Sequence, residues 1–238
     1  TTPRYYRLLK RSDAYEPRRI IRSGSTCVRT RSTGMPREVT LVDANLGNLN
    51  SVERALVQVG ASVTVTSDPN VVATSRMVVF PGQGAFGPAT QAVVDGSMGA
   101  ALRMVIGRGD PFLGICLGMQ MLFESSEENG GQEALKVLPG RTKRFPDGVK
   151  LPGTGRPFKI PHVGWNDVQP SGAHYYFDHS YYVELGDSSD LMWLTNYGPF
   201  EFPAAIRHDN IIGCQFHPEK SQRAGLRFLR TFVLGGRS

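Results

Sequence analysis

Long hydrophobic runs are missing from this chain: no apolar stretch in its 238 residues approaches the ~20 needed to span a bilayer as a helix, which excludes a helical membrane protein. Cysteine is nearly absent as well. Cys27, Cys116 and Cys214 are too few for a disulfide framework, which points to a reducing compartment and a cytoplasmic location. No two of them stand at C-x-x-C spacing and the five histidines are scattered, so neither a metal site nor another cofactor is expected. No internal repeat is visible, and 40% hydrophobic with 20% charged residues describes a globular chain. The formal charge of +6 is not spread evenly. Residues 1–34 carry nine Lys and Arg against Asp13 and Glu16, a net of +7, which leaves −1 for residues 35–238. A nearly neutral body has no electrostatic footprint for nucleic acid.

The basic residues 1–34 are rich in Arg, Ser and Thr without a sustained hydrophobic period, and are expected to be disordered. Three readings stay open for them: an organellar transit peptide, a basic arm for an anionic partner, or sequence upstream of a start at Met35. The last is favoured, because Met35 immediately precedes the first well-formed strand. A transit peptide would move the location to an organelle. One domain is expected over residues 35–238.

What is present is an alternation of strands and helices. Val39–Asp43 reads as a fully buried strand, and Ala61–Thr66, Met77–Phe80 and Phe112–Ile115 as further strands. Ser51–Val59, closed by Gly60, and Met98–Gly107 read as helices between them. That order predicts an α/β fold with a mostly parallel central sheet flanked by helices, and ligands at the carboxyl ends of its strands. From about Gly131, Pro and Gly punctuate shorter aromatic segments, Tyr175–Phe177, Tyr181–Leu185 and Met192–Leu194. These predict an antiparallel, hairpin-rich portion. A strand at Asn210–Phe216 and a helix at Ala224–Val233 follow.

The stretch that carries chemistry is Gly114-Ile115-Cys116-Leu117-Gly118. An apolar strand ends at a thiol between two glycines, and helix formers Met119–Glu124 follow, with the helix expected to end near Glu127–Gly130. The G-x-S-x-G nucleophile elbow has this layout with serine in place of cysteine. Glycines suit a backbone that doubles back on itself, and a helix starting at the thiol aims free N–H groups at it. The competing reading is a small buried cysteine at a strand end.

A cysteine nucleophile needs a base and an orienting group. His217-Pro218-Glu219 offers both, with positions two apart on one side of an extended chain and Pro218 stiffening the segment. Cys214, three residues before His217, faces the other way by strand parity and lacks an elbow, so it is assigned to packing. His162 and His179 are given structural hydrogen-bonded roles, and His174 and His208 surface loops. Pro81-Gly82-Gln83-Gly84 after a strand exposes backbone N–H groups for an anion or oxyanion.

Together these segments resemble the class I (triad) glutamine amidotransferases. More narrowly, the chain is similar to the glutaminase subunits of imidazole glycerol phosphate synthase, in histidine biosynthesis. The narrower resemblance rests on Gly47–Val52, Pro81–Phe86, Ile160–Asn166, Phe177–Tyr182 and Gln215–Gln222, and spans about Arg37 to Val233. It implies that Cys116 attacks the side-chain amide of L-glutamine, with His217 as base and Glu219 orienting it. It implies an oxyanion held by Leu117 and the Gly82-Gln83-Gly84 turn, and glutamine contacts from Gln120, Glu128, Ser180 and Tyr181. It also implies ammonia transfer to a (β/α)8-barrel cyclase subunit in a heterodimer, with Asn48, Trp165 and Lys220 near the interface. The chain departs from the family at Ala44-Asn45, where Tyr-Gly is usual, and at Gln83, commonly Val. Glutaminase subunits of other ammonia-using synthases fit the Pro161–Asn166 and Phe177–Tyr182 segments less well. A non-catalytic glutamine-binding subunit would have no need of all three triad residues.

Overall fold

The computed structural model describes residues 36–47, 49–151, 153 and 155–235. The expected extension at residues 1–34 and Asn48 lie outside the described residues. The chain opens with β1 (Arg37–Val42), α1 (Leu49–Gln58), β2 (Ala61–Thr66), α2 (Pro69–Thr74), β3 (Val78–Gly82), α3 (Pro88–Asp95), α4 (Ser97–Gly107), β4 (Phe112–Cys116) and α5 (Leu117–Gln120). Next come β5 (Ser125–Ser126), β6 (Gln132–Glu133), β7 (Gly140–Arg144), β8 (His162–Val168), β9 (Ala173–His179) and β10 (Tyr181–Leu185). Then follow β11 (Leu191–Tyr197), β12 (Phe200–His208), β13 (Ile211–Cys214) and α6 (Gln222–Val233).

One seven-stranded sheet runs in the order β11-β12-β13-β4-β3-β1-β2. Neighbours are parallel from β2 to β13, and β12 and β11 are antiparallel. The hairpin-rich portion is a four-stranded sheet β10-β7-β5-β6 and the antiparallel pair β8–β9. This is the mostly parallel α/β architecture expected. All five residues of β4 are buried, as a parallel strand covered on both faces requires. One face packs α1 and α6 through Val52, Leu56, Phe228 and Leu229; the other packs α3 and α4 through Val93, Leu102 and Val105. In α1 the buried residues Val52, Ala55 and Leu56 follow helical spacing, and Gly60 at φ +97° ends the segment.

Strands β5 to β8 and β12 were not singled out in the sequence, and three helical elements also differ from expectation. Helices α2 and α3 were not foreseen; both are short and begin on proline, and Asp68 caps α2 by accepting from the Asn70 N–H. The helix after Cys116 stops at Gln120 instead of reaching Glu127. The carbonyls of Met121, Leu122, Phe123 and Glu124, which would carry it on, accept instead from N–H groups of residues 134–138. Those tertiary bonds satisfy the backbone in place of the helix. His174 and His208 lie on strands β9 and β12, although both are exposed.

The register of the central strands sets the site. Gly82 of β3 pairs with Cys116 of β4, and Cys214 of β13 pairs with Ile115. The carboxyl ends of β3, β4 and β13 therefore meet in one place.

Candidate active site

Cys116 sits at the turn between β4 and α5 with φ +53° and ψ −108°, a conformation that costs a non-glycine residue about 1–3 kcal/mol. Its neighbours enforce it. A methyl group on Gly114 would lie 2.8 Å from the Gly118 carbonyl oxygen, and one on Gly118 would overlap the carbonyl oxygen of Phe80 on β3. Both glycines are required by backbone meeting backbone. Elbow and strand are locked together.

His217 and Glu219 are both buried, and His217 Nδ1–H donates to Glu219 Oε1 at 2.8 Å. The local geometry is not the extended chain expected. His217 alone is extended, and Pro218–Lys220 form a 3-10 turn that swings Glu219 back onto the imidazole. Pro suits the first position of such a turn, and Lys220 and Ser221 close it by donating to the His217 and Pro218 carbonyls. Strand β9 holds the segment in place. The Tyr176 carbonyl accepts from the His217 N–H, and the Tyr176 N–H donates to Ser221 Oγ.

Burial by itself would push the His217 imidazole down, but it is outweighed by the charge and hydrogen bond of the Cys116 sulfur and by Glu219, so it is pushed up to about 10. Cys214 is fully buried behind this pair. Burial first, then the Glu219 charge and Cys116, hold its thiol well above its ordinary value, so it stays protonated.

The residues expected around an oxyanion are arranged unequally. Gly82 lies opposite Cys116, pressed so close to the elbow that a methyl there would be 2.8 Å from Leu117 Cβ. Leu117 opens α5, and Gly84 turns at φ +96° in open space. The Gln83 N–H donates to the Leu46 carbonyl, so it faces the β1 loop and away from Cys116. Its side-chain amide comes within 3.5 Å of His217 Nδ1.

Gln120 is buried, and its Nε2 donates to the Tyr181 carbonyl and to Gln215 Oε1, both at 3.0 Å. The Glu128 Oε2 accepts from the Phe86 N–H at 2.8 Å; its carboxyl is raised by burial against the lowering effect of that bond. The Tyr181 phenol is raised by burial and then by Glu128, which places those two side chains within electrostatic reach. The Ser180 carbonyl accepts from the Phe145 N–H. Trp165 is 48% exposed on β8, its ring 6.1 Å from that of Tyr176, and Lys220 Nζ stands 5.7 Å over the same ring. The third expected interface residue, Asn48, is outside the described residues.

Sequence reasoning passed over Gln215 and Tyr176. The Gln215 Nε2 donates to Cys116 Sγ at 3.6 Å and its Oε1 accepts from Gln120. A signal existed, since Gln215 is two residues before His217 and shares its side of the strand. Tyr176 had no signal beyond its aromatic neighbours.

The histidines make stability depend on pH in both directions. Burial pushes His162 down to about 4; burial, then the charge of His162, pushes His179 down to about 3. Below the free value near 6.5 the unfolded chain takes up protons that these rings resist, so their contribution is intact above pH 6.5 and is lost as pH falls toward 4 and 3. His217 works the other way: its contribution is full below 6.5 and is lost as pH rises through about 10. The melting temperature should therefore peak near neutrality and fall between pH 6.5 and 5, before most carboxylates titrate. A flat melting profile over that interval would contradict the buried neutral pair.

Among the described residues no helix is long and apolar enough to cross a membrane. The family model for glutamine amidotransferase class-I matches residues 40–235. The chain is 43% identical over 209 residues to the imidazole glycerol phosphate synthase subunit HisH of Methylococcus capsulatus, covering 82% of this chain and 95% of that one. It is 41% identical over 207 residues to the subunit of the same name from Moorella thermoacetica, covering 82% and 94%. Among solved structures, a glutamine amidotransferase superposes with a TM-score of 0.62 at 18% identity, covering 82% of this chain and 98% of that one. PurLQS from Thermotoga maritima superposes with a TM-score of 0.62 at 16% identity, covering 84% and 99%. Those structural likenesses speak for the fold, and the sequence likenesses speak for more: the chain belongs to the class-I glutamine amidotransferases, in the family of imidazole glycerol phosphate synthase HisH subunits.

Proposed function

We propose that Cys116, His217 and Glu219 are the triad with which this glutaminase subunit of imidazole glycerol phosphate synthase releases ammonia from L-glutamine for histidine biosynthesis. The observation that carries the reading is the buried contact of Cys116 with a His217 imidazole pushed up to about 10 and tied at 2.8 Å to Glu219. The sulfur attacks the side-chain amide carbon and forms a C–S bond. The His217 imidazolium gives its proton to the departing nitrogen as the C–N bond breaks, and ammonia leaves. Neutral His217 then takes a proton from water attacking the γ-glutamyl thioester. The C–S bond breaks, glutamate departs, and thiolate and imidazolium are restored. Glu219 stabilises the charge on the ring and fixes which nitrogen faces the sulfur.

The oxyanion is assigned to the Leu117 and Gly84 N–H groups beside Gly82. Gln83 joins them only on release from Leu46, since its N–H is committed to that carbonyl. Losing one such donor typically costs ~10²–10³ in turnover. Gln120, Glu128 and the Ser180–Tyr181 backbone form the glutamine subsite. Glu128 is tied to the oxyanion loop through Phe86, so a ligand it holds is coupled to that loop.

The ammonia is delivered to a (β/α)8-barrel cyclase subunit, in a heterodimer that makes imidazole glycerol phosphate and an aminoimidazole carboxamide ribonucleotide. Asn48, Trp165 and Lys220 belong to the docking face, where an exposed Trp and a cation gather on the Tyr176 ring. The amidotransferase unit is residues 35–238, preceded by an extension, and it works in the cytoplasm. Glutamine hydrolysis measured with and without the cyclase and its nucleotide ligand tests this. Stimulation of roughly tenfold or more, an ordinary coupling of about 1.4 kcal/mol or above, is expected. Equal, high activity of the isolated chain would overturn it.

A further inference from the structure

Two buried histidines take no part in the triad, yet their hydrogen bonds lead to it. His179 Nδ1 is 2.7 Å from the Tyr181 carbonyl, which can only accept, so that nitrogen carries the hydrogen. In a neutral ring its Nε2 is then an acceptor, and His162 Nδ1 at 3.0 Å must donate to it. His162 Nε2 is left as an acceptor for Asn166 Nδ2 at 3.4 Å.

The far end fixes the same direction independently. Asn166 Oδ1 accepts from the Asp167 N–H, and Nδ2 donates to the Asn196 carbonyl, so the amide presents its NH₂ group to His162. Both ends therefore demand two neutral rings, each with its hydrogen on Nδ1. A proton added to either ring would set N–H against N–H. Burial disfavours it, and the charged His217 nearby disfavours it further at His179.

The Tyr181 carbonyl accepts one bond from His179 and a second from Gln120. The other hydrogen of Gln120 Nε2 goes to Gln215 Oε1. With both hydrogens committed, what Gln120 can offer a ligand is its carbonyl oxygen, a pure acceptor.

We infer that His162 and His179 are positioning residues for the glutaminase reaction, an imidazole pair whose single allowed hydrogen-bond direction holds the Tyr181 carbonyl and so turns the Gln120 oxygen toward a hydrogen-bond donor on the substrate. The inference rests on the glutamine subsite proposed above. It sets the pair apart from core packing, a role that the stacking of His162 on Phe177 and Tyr197 and the tilted contact of His179 with Phe177 would serve equally well with apolar rings.

Two measurements test it. In the ¹⁵N-labelled wild-type chain at pH 7, both rings should be neutral with their hydrogen on Nδ1. Either ring charged, or with its hydrogen on Nε2, overturns the inference. In the assembled synthase, His179→Leu should raise KM for glutamine about tenfold, the loss of one buried hydrogen bond, with a smaller change in kcat. His179→Asn, which keeps an N–H near the Nδ1 position, should restore most of that loss. A folded His179→Leu protein with wild-type KM overturns the inference, and if that variant does not fold the ring measurement decides. Failure of the glutaminase reading would show separately, as turnover retained by Cys116→Ala, and would leave the ring directions as found.

Discussion

Cys116→Ala should cut glutamine hydrolysis by ~10⁴-fold or more while the chain stays folded. Alanine keeps the one carbon that meets the elbow conformation, so the strain at φ +53° and the packing of Gly114 and Gly118 are unchanged. What disappears is the sulfur, and no neighbour replaces it. Cys214 is fully buried and kept protonated by burial and by Glu219, so it cannot attack. The substitution should also be readable at His217. The Cys116 sulfur is the first of the groups that raise its imidazole, so without it burial gains weight and the ring should titrate well below about 10. Activity measured in the assembled synthase, with ring titration by NMR, gives both answers. Turnover above a hundredth of wild type would remove Cys116 from the chemistry.

Gly225→Ala should damage both stability and turnover, although it changes nothing within the site. By helix propensity alone the change would stabilise α6 by about 1 kcal/mol. The structure predicts the opposite sign. A methyl group at Gly225 would overlap the Pro218 carbonyl oxygen and come within 2.6 Å of its carbon. Neither side has a flexible side chain to give way, and α6 is fixed to the sheet through Phe228, Leu229 and Phe232. Pro218 stands between His217 and Glu219, so the displacement falls on the 2.8 Å bond between them. Overpacking of this kind costs about 1–3 kcal/mol or more. A fall in melting temperature of about 5 °C is expected, with kcat lower by at least tenfold. An unchanged or raised melting temperature would show that the turn has room to yield.

The parallel half of the fold was legible because β3, β4 and β13 are apolar runs, β1 and β2 are rich in Val and Thr, and Gly60 and the elbow glycines punctuate them. Edges matched within a few residues at β1 and β4, whose central residues are buried, and at β2, an exposed edge strand that Gly60 and its β-branched residues mark out. Short elements were not legible. Helix α2 depends on one cap, Asp68, and the early end of α5 depends on bonds from residues 134–138, which no local pattern announces. The site divides in the same way. Cys116 and the spacing of His217 and Glu219 are local features. The 3-10 turn that joins the last two needs Tyr176 and Gly225 pressed on it from elsewhere. Gln215 reaches Gln120 and Cys116 across 95 and 99 positions of the chain, and the turning of the Gln83 N–H toward Leu46 comes from the β1 loop.

The order of the large sheet has a consequence for the chain as it is being made. β4, with Phe-Leu-Gly-Ile-Cys, is flanked by β3 on one side and by β13 on the other, and β13 leaves the ribosome after the other six strands of this sheet. Until β13 is made, the strand that ends at Cys116 has one bare, apolar edge, the kind of edge that recruits strands from other chains. The same late segment brings His217, Glu219 and α6. Closure of that edge and arrival of the proposed base are a single event, so on that proposal a nascent or shortened chain is sticky and inert together, and becomes safe at the moment it becomes an enzyme.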